Sequence, residues 1–228
     1  MFQIYIGYDP KESVAYHTLA HSILRRSSIP VTIAPLIRSQ LGGLYTRPRG
    51  VTESTEFSLT RFLVPTLSGF RGWSLFMDCD MLCRTDIAEL AAFAERSADK
   101  AVLVCKHDYT PGPTRKFLNQ IQTVYPRKNW SSVMLFNNAR CTALTAAYVN
   151  AAAGLQLQRF EWLDDALIGE LPLEWNWLVG EYARNPNAKI VHFTIGGPYF
   201  DEYRGCDYAE EWFEENRHMT FAANRVPA

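Results

Sequence analysis

Two acidic residues separated by a single residue are the feature of this 228-residue sequence that points most directly to chemistry. Asp78 and Asp80 follow immediately on the almost wholly apolar run 73–77. Alternate side chains of an extended strand point the same way, so both carboxylates can face one ligand. Adjacent acids repel each other, and a divalent cation such as Mn²⁺ or Mg²⁺ relieves this repulsion because it prefers carboxylate oxygens. The pattern predicts a metal site, the alternative being two solvated acids in a turn.

Short apolar runs that alternate with helical patterns predict an α/β fold, with a mostly parallel central sheet flanked by helices. The predicted strands are 2–6, 29–35, 73–77, 101–105, 133–136 and 190–193. The predicted helices include 10–26, 54–64, 115–124, 139–150 and 164–170. For the first helix, Asp9 is the expected N-cap, Pro10 suits the first turn and Glu12 completes a capping box.

The carboxyl ends of the strands are where sheets of this kind bind their ligands. The loops after Ile6, Met77 and Phe193 are therefore the expected place of a functional site. The second loop holds the acidic pair, and the third follows His192 at the end of the last predicted strand. Taken by itself, His192 is either a hydrogen-bonded core histidine or a ligand.

Composition excludes several classes of protein. The 23 Lys and Arg residues against 24 Asp and Glu argue against a sequence-independent nucleic-acid binder, which needs a basic surface. A content of 47% apolar and 21% charged residues predicts a globular fold rather than disorder. We expect one domain over residues 1–228, with a flexible tail at 221–228 and no integral membrane segment.

The cysteines and the first residues bear on the cellular compartment. Five cysteines without a CxxC pair indicate neither a disulfide framework nor a zinc knuckle. The chain starts without basic residues and carries acids by position 12, which is not typical of a signal peptide. The expected location is the cytoplasm.

Five motifs, in order along residues 2–200, resemble those of a known enzyme family. They are Ile4–Asp9, Ser58–Phe62, Leu75–Asp86, Trp162–Asn176 and Val191–Pro198. With them the chain resembles the GT-A-fold retaining glycosyltransferases of the family that includes glycogenin and bacterial lipopolysaccharide galactosyltransferases. The resemblance implies a single Rossmann-like GT-A domain that transfers a hexose, with retention of configuration, from a nucleoside-diphosphate sugar. UDP is the preferred nucleotide.

The same resemblance implies roles for individual residues. Asp78, Asp80 and His192 would hold Mn²⁺, or Mg²⁺, against the donor's diphosphate. Seven further residues would bind the donor, namely Gly7, Tyr8, Asp9, Arg61, Ser131, Gly196 and Gly197.

Three departures from the family pattern limit which residue roles can be transferred from the family to this chain. The segment Gly196-Gly197-Pro198-Tyr199 lacks the lysine that the family has in this motif, so we expect the two glycine amides to replace its charge in part as an anion nest. Trp130 stands where the family has a sugar-contacting asparagine. Asp164 replaces an amide, with Asp165 beside it, which makes both candidate catalytic residues. Asp164 is either a nucleophile or a stabiliser of positive charge, although a front-face route assisted by the leaving phosphate is the default.

The acceptor and some rival functions stay open at this point. A carbohydrate, a glycolipid or a protein acceptor each fits, and peripheral contact with a membrane is compatible with any of them. The alternatives are a non-catalytic nucleotide-sugar-binding relative and a nucleotidyltransferase on the same fold. A haloacid-dehalogenase-type phosphohydrolase is disfavoured because its acidic motif normally lies near the amino terminus, whereas 77 residues precede Asp78 here.

Overall fold

Six strands form the sheet on which the molecule is built. The computed structural model describes residues 1–50, 53–108 and 126–221. The strands of this sheet are β1 (Phe2–Gly7), β2 (Val31–Leu36), β3 (Trp73–Met77), β5 (Val102–Cys105), β6 (Val133–Asn137) and β7 (Ile168–Leu171). Their order is β2-β1-β3-β6-β5-β7, and β6 alone among these six runs antiparallel to its neighbours. The predicted α/β fold with a mostly parallel sheet is confirmed.

A second, three-stranded sheet lies next to the acidic pair. It consists of β4 (Met81–Cys83), β9 (Ile190–His192) and β8 (Trp177–Leu178), in that order. β4 pairs antiparallel with β9 so that Met81 is opposite His192. The backbone N–H of Phe193 also donates to the Asp80 carbonyl at 2.8 Å. This register brings His192 beside Asp80, although the two are far apart in the sequence.

Seven α-helices occur in the described part of the chain, several of them only one turn long. They are α1 (Ser13–Arg26), α2 (Val64–Leu67), α3 (Ala88–Ala91), α4 (Phe93–Arg96), α5 (Ala146–Ala151), α6 (Gly154–Gln158) and α7 (Ala209–Phe221). None of them combines the length and the apolar character that crossing a bilayer needs. The helix predicted at 115–124 lies outside the described residues, as does the predicted tail except for Phe221, which ends α7.

The helix α7 packs on α1 through a buried carboxylate. Glu215 is only 2% exposed; it forms an ion pair with Arg26 at 2.7 Å and accepts a hydrogen bond from His21 at 2.5 Å. A buried carboxylate costs several kcal/mol of lost hydration unless positively charged or donor groups surround it, as they do here. The contact therefore fixes the last described helix on the first.

Three predicted helices are wrong in detail, and the one predicted at 139–150 is an α-helix only over Ala146–Ala151. Pro65 does not close a helix over 54–64 but lies in the first turn of α2, where a missing backbone N–H costs nothing. The segment 164–170 forms a short 3₁₀ turn, Asp165–Leu167, followed by β7. In this strand Gly169 is opposite Leu103 of the neighbouring β5, and a Cβ at Gly169 would lie 2.2 Å from the Leu103 side chain.

Candidate functional site

The carboxyl ends of β1, β3, β5 and β7 share one edge of the large sheet, since these strands run in the same direction. β3 is buried over 74–77, covered by the core on both faces. Directly after it, Asp78 N–H donates to the Ser132 carbonyl at 2.9 Å and so fixes the start of the acidic turn. Cys79, between the two acids, is buried and packs in the hydrophobic core.

Asp78, Asp80 and His192 converge at this edge. One ligand atom from each lies within 4.8 Å of the others. Nε2 of His192 is 3.3 Å from Oδ1 of Asp80 and 4.0 Å from Oδ2 of Asp78. Asp80 and His192 are buried and Asp78 is half-buried. Two carboxylates and one imidazole form a donor set that fits Mn²⁺ or Mg²⁺, with room in the coordination shell for oxygens of a substrate.

Arg61 is held rigidly against Asp78. Its Nη1 lies 2.8 Å from Asp78 Oδ1 and donates to the Ser131 carbonyl at 2.9 Å. The guanidinium is buried, and it lies 5.4 and 5.0 Å from the centroids of the Phe57 and Phe76 rings. One Asp78 oxygen is thus occupied by Arg61, while the other faces His192. The arrangement orients the carboxylate before any ligand binds.

Ser131 belongs to the same network. Its hydroxyl donates to Oε1 of Gln158 at 2.5 Å and accepts from Arg61 Nη1 at 3.3 Å. Gln158 in turn donates to the Ser58 carbonyl at 2.8 Å. Sequence reasoning did not identify Gln158, and no motif marks it. Its effect is to hold Ser131 and Arg61 in a fixed relation to the acidic turn.

Glu12 is a further acid of the site that the sequence assigned elsewhere. The predicted capping box is wrong, because Asp9 caps the 3₁₀ turn Pro10–Glu12 while the Glu12 side chain turns inward. Glu12 is 1% exposed, and its Oε1 accepts a hydrogen bond from the Tyr199 hydroxyl at 2.6 Å. Burial, together with the negative charge of Asp80, raises the pKa of Glu12 to about 8. This accumulation of acids favours a cation at the site.

The residues predicted to bind a nucleotide after β1 also have structural roles. A Cβ on Gly7 would lie 2.4 Å from the Phe57 ring, so only glycine lets that ring approach. The Asp9 carboxylate accepts backbone N–H groups from Lys11 at 3.0 Å and from Glu56 at 3.1 Å. Tyr8 is half-buried, and its ring meets that of Tyr16 edge-on at 5.5 Å. Their contacts to a nucleotide stay predictions.

Gly196 and Gly197 are required by two tyrosine rings. A Cβ on Gly196 would lie 2.3 Å from the Tyr203 ring, and one on Gly197 would lie 2.2 Å from the Tyr199 ring. Neither glycine has a positive φ, so the two amides do not form a nest of the right-handed–left-handed type. The hydroxyl of Tyr199, the next residue but one, donates a hydrogen bond to Glu12 and supplies no positive charge.

Asp164 and Asp165 lie in the exposed turn that precedes β7. Oδ1 of Asp164 accepts the N–H of Ala166 at 2.9 Å. Asp165 pairs at 2.6 Å with Arg127, whose guanidinium lies 5.3 Å from the centroid of the Trp130 ring. Among the described residues, no hydrogen bond or ion pair joins either aspartate to the metal-binding candidates. Their catalytic role stays a prediction.

His107 and Asn176 are polar residues that sequence reasoning missed as members of the site. Asn176 contacts His192 Nδ1 at 3.0 Å on one side and His107 Nε2 at 2.9 Å on the other. Burial lowers the pKa of His107 to about 3, which keeps its imidazole neutral. His107 lies just beyond the carboxyl end of β5, so the strand-end rule applied to that strand would have found it.

Comparison with known proteins gives one relative in sequence and several in structure. The chain is 47% identical over 224 residues to Protein CDI of Arabidopsis thaliana, covering 94% of this chain and 85% of that protein. No family model matches the chain.

Solved structures that resemble it include several glycosyltransferases. The bifunctional glycosyltransferase WbbM superposes with a TM-score of 0.68 at 13% identity, over 99% of this chain and 52% of its own, so this chain spans about half of WbbM. The galactosyltransferase LgtC, solved with donor and acceptor sugar analogues, gives 0.60 at 11% identity over 99% and 98%. GlyE of Streptococcus pneumoniae gives 0.57 at 14% identity over 94% and 60%. These low identities make the likeness one of fold.

Proposed function

Because the chain belongs to the family of Arabidopsis thaliana Protein CDI and has the GT-A fold of glycosyltransferases, we propose that it is a metal-dependent glycosyltransferase. The observation that carries the proposal is the meeting of Asp78, Asp80 and His192 at the carboxyl edge of the sheet. A fold that serves many functions does not decide an activity, whereas a convergent set of ligand atoms at its ligand-binding edge supports one.

The proposed donor is a nucleoside-diphosphate sugar, with UDP as the preferred nucleotide and a hexose as the sugar. When bound, Mn²⁺ or Mg²⁺ would supply positive charge for the diphosphate as the sugar–phosphate bond breaks. Asp78, Asp80 and His192 hold this ion, and Arg61 keeps Asp78 in place through its ion pair. The surplus of acidic groups around the site supports this assignment, since Glu12 adds its carboxyl to the pair.

The donor's other groups are proposed to meet the loops at the same edge. The residues assigned to donor binding are Gly7, Tyr8, Asp9, Arg61, Ser131, Gly196 and Gly197. The assignment of Arg61 and Ser131 is supported by their buried hydrogen bond, because it joins the metal-binding turn to the start of β6.

Asp164 and Asp165 are proposed to act at the reacting face of the sugar. In the front-face route, the leaving phosphate takes the acceptor's proton and Asp164 stabilises the positive charge that develops on the sugar. A covalent intermediate on Asp164 is the alternative, and both routes retain configuration. The proposed acceptor is a carbohydrate, a glycolipid or a protein. A glycolipid acceptor would bring the enzyme into peripheral contact with a membrane. The cytoplasm stays the predicted location.

A thermal-shift screen with UDP, GDP, ADP and CMP, each with and without Mn²⁺, tests the proposal. A ligand at 100 times its dissociation constant adds about 2.7 kcal/mol to the free energy of unfolding. We expect UDP to stabilise the protein only with Mn²⁺, and the shift to vanish in Asp80→Ala. Asp201→Ala is the matched control, since the Asp201 side chain is 95% exposed and should leave the shift intact.

The outcomes separate the parts of the proposal. Stabilisation by UDP that is independent of Mn²⁺ would refute the metal dependence. A melting temperature that no nucleotide changes would refute the nucleotide-sugar donor. Release of UDP from a UDP-hexose, followed with the same variants, then tests the chemistry. A protein that binds UDP with Mn²⁺ but releases none from any UDP-hexose is the non-catalytic relative.

A further inference from the structure

The imidazole of His192 is held on the side away from the carboxylates by a single buried amide. Oδ1 of Asn176 lies 3.0 Å from Nδ1 of His192, and both side chains are buried. We propose that Asn176 is a positioning residue that keeps His192 protonated at Nδ1, so that the lone pair of Nε2 faces Asp78 and Asp80. The identity of the bound ion rests on the proposed function. The tautomer of His192 does not depend on that function.

The orientation of the Asn176 amide follows from its other neighbours. Nδ2 lies 3.2 Å from the carbonyl oxygen of Asn129, which can only accept a hydrogen bond. It also lies 2.8 Å from the Ser132 hydroxyl, whose own proton goes to that same carbonyl at 2.6 Å. An amide turned the other way would place its oxygen against two acceptors. The nitrogen must therefore face Asn129, which leaves the oxygen facing His192.

His107 completes the support of this amide. Its Nε2 accepts from Asn176 Nδ2 at 2.9 Å, so the His107 proton is on Nδ1. That nitrogen lies 2.9 Å from the Tyr182 hydroxyl, to which it can donate. Two imidazoles at the ends of two strands, His107 just after β5 and His192 in the last position of β9, thereby hold the amide between them. Each contact fixes the direction of the next, from Tyr182 to His192.

The tautomer matters because two interactions compete for the His192 proton. Asp80 Oδ1, 3.3 Å from Nε2, would accept a hydrogen bond from a protonated Nε2 and so favour the tautomer whose Nε2 cannot bind a metal. Asn176 Oδ1 accepts from Nδ1 and favours the form that can. Since an amide oxygen that lost its donor would be left buried and unpaired, Asn176 opposes the transfer. The site is thereby prepared for the ion instead of being closed by its own histidine.

Metal binding by the full chain provides the first test. We expect Asn176→Ala to weaken Mn²⁺ binding about 10–100-fold in calorimetric titration, the usual cost of losing a partner of a ligating histidine. Asn138→Ala is the matched control, because Asn138 is equally buried but bonds Ser74 and Arg71 at the opposite edge of the sheet. An affinity that is unchanged in Asn176→Ala, or that falls equally in Asn138→Ala, would overturn the proposal.

Nitrogen-15 NMR of histidine-labelled, metal-free wild-type protein provides a second test, which reads the tautomer of His192 with Asn176 in place. The His192 signals are identified by their absence in His192→Gln. We expect a proton on Nδ1 alone, and a proton on Nε2 would refute the inference. Asn176→Asp keeps an oxygen opposite Nδ1 and is expected to preserve the tautomer. If the wild-type protein binds no Mn²⁺, the metal part of the proposed function fails, while the nitrogen spectrum still decides the inference.

Discussion

Replacing Glu12 by glutamine tests the electrostatics of the acidic site in metal-free protein. Glutamine keeps an oxygen for the Tyr199 hydroxyl, so the hydrogen bond of 2.6 Å can persist while the charge is removed. In the folded protein, burial and the charge of Asp80 raise the pKa of Glu12 from 4.5 to about 8. The folded state therefore holds a proton on Glu12 that the unfolded chain loses above about pH 4.5.

The sign and the size of the effect follow from this difference. Between pH 4.5 and about 8 the folded state binds more protons than the unfolded state, so the Glu12 contribution to stability falls as the pH rises. A pKa raised from 4.5 to about 8 corresponds to a loss of on the order of 5 kcal/mol, at about 1.4 kcal/mol per pH unit. Glu12→Gln is neutral throughout and escapes this loss.

Urea unfolding followed by tryptophan fluorescence, in the presence of a chelator, measures the effect between pH 5 and 8. We expect the variant to gain stability relative to the wild-type protein steadily across this range. Glu170→Gln removes an exposed carboxylate and is expected to run parallel to the wild type. If the Glu12→Gln profile also runs parallel to that of the wild type, Glu12 is charged in the folded protein, and the reasoning from its burial is refuted.

Two further substitutions test a packing contact and the proposed chemistry. Gly7→Ala places a Cβ within 2.4 Å of the Phe57 ring, and we expect it to cost about 1–3 kcal/mol of stability, seen as a lower melting temperature. Asp164→Asn keeps a residue that caps the turn before β7 equally well. We expect it to lower the rate of UDP release from a UDP-hexose far more than the affinity for that donor, because Asp164 is proposed to act on the transition state.

Each of these two substitutions has a matched control. A Cβ on Gly42 would have no atom within 4 Å, so Gly42→Ala should keep its melting temperature. If Gly42→Ala lowers the melting temperature as much as Gly7→Ala does, the steric explanation is wrong. Glu161→Gln alters an exposed acid close to Asp164 in the sequence and should leave the rate unchanged. Equal losses of rate and of donor affinity in Asp164→Asn would exclude the proposed role.

The parts of the structure that depend on local pattern could be predicted from the sequence. The apolar run 73–77 predicts the buried strand β3. Asp78 and Asp80 could be picked out as site residues because they come directly after that strand. Asp9 caps the first turn as its residue type predicts. The family resemblance also selected His192, and the structure places it beside Asp80. The general α/β fold is confirmed for the same reason, since alternating strand and helix patterns are local properties.

The parts that depend on contacts between distant segments could not be predicted. The strand β4 has three residues, too few for a recognisable period, yet its pairing with β9 brings His192 to the acids. Glu12 has the spacing of a capping residue, and only the fold shows that its side chain is buried against Tyr199. In β7, pairing with β5 overrides a pattern that predicts a helix. In each case tertiary packing decides between local alternatives.

The docking of α7 on α1 has a consequence for the order in which the molecule is made. His21 and Glu215 are 194 residues apart, and Glu12 and Tyr199 are separated by 187. At a synthesis rate of about 5–20 residues per second, the amino-terminal member of each pair waits about 10–40 s for its partner. During that time the nascent chain has the acids that follow β1 and β3 without the histidine or the tyrosine that meets them. The binding site is therefore among the last features to assemble, and it does so only after nearly all of the described chain has left the ribosome.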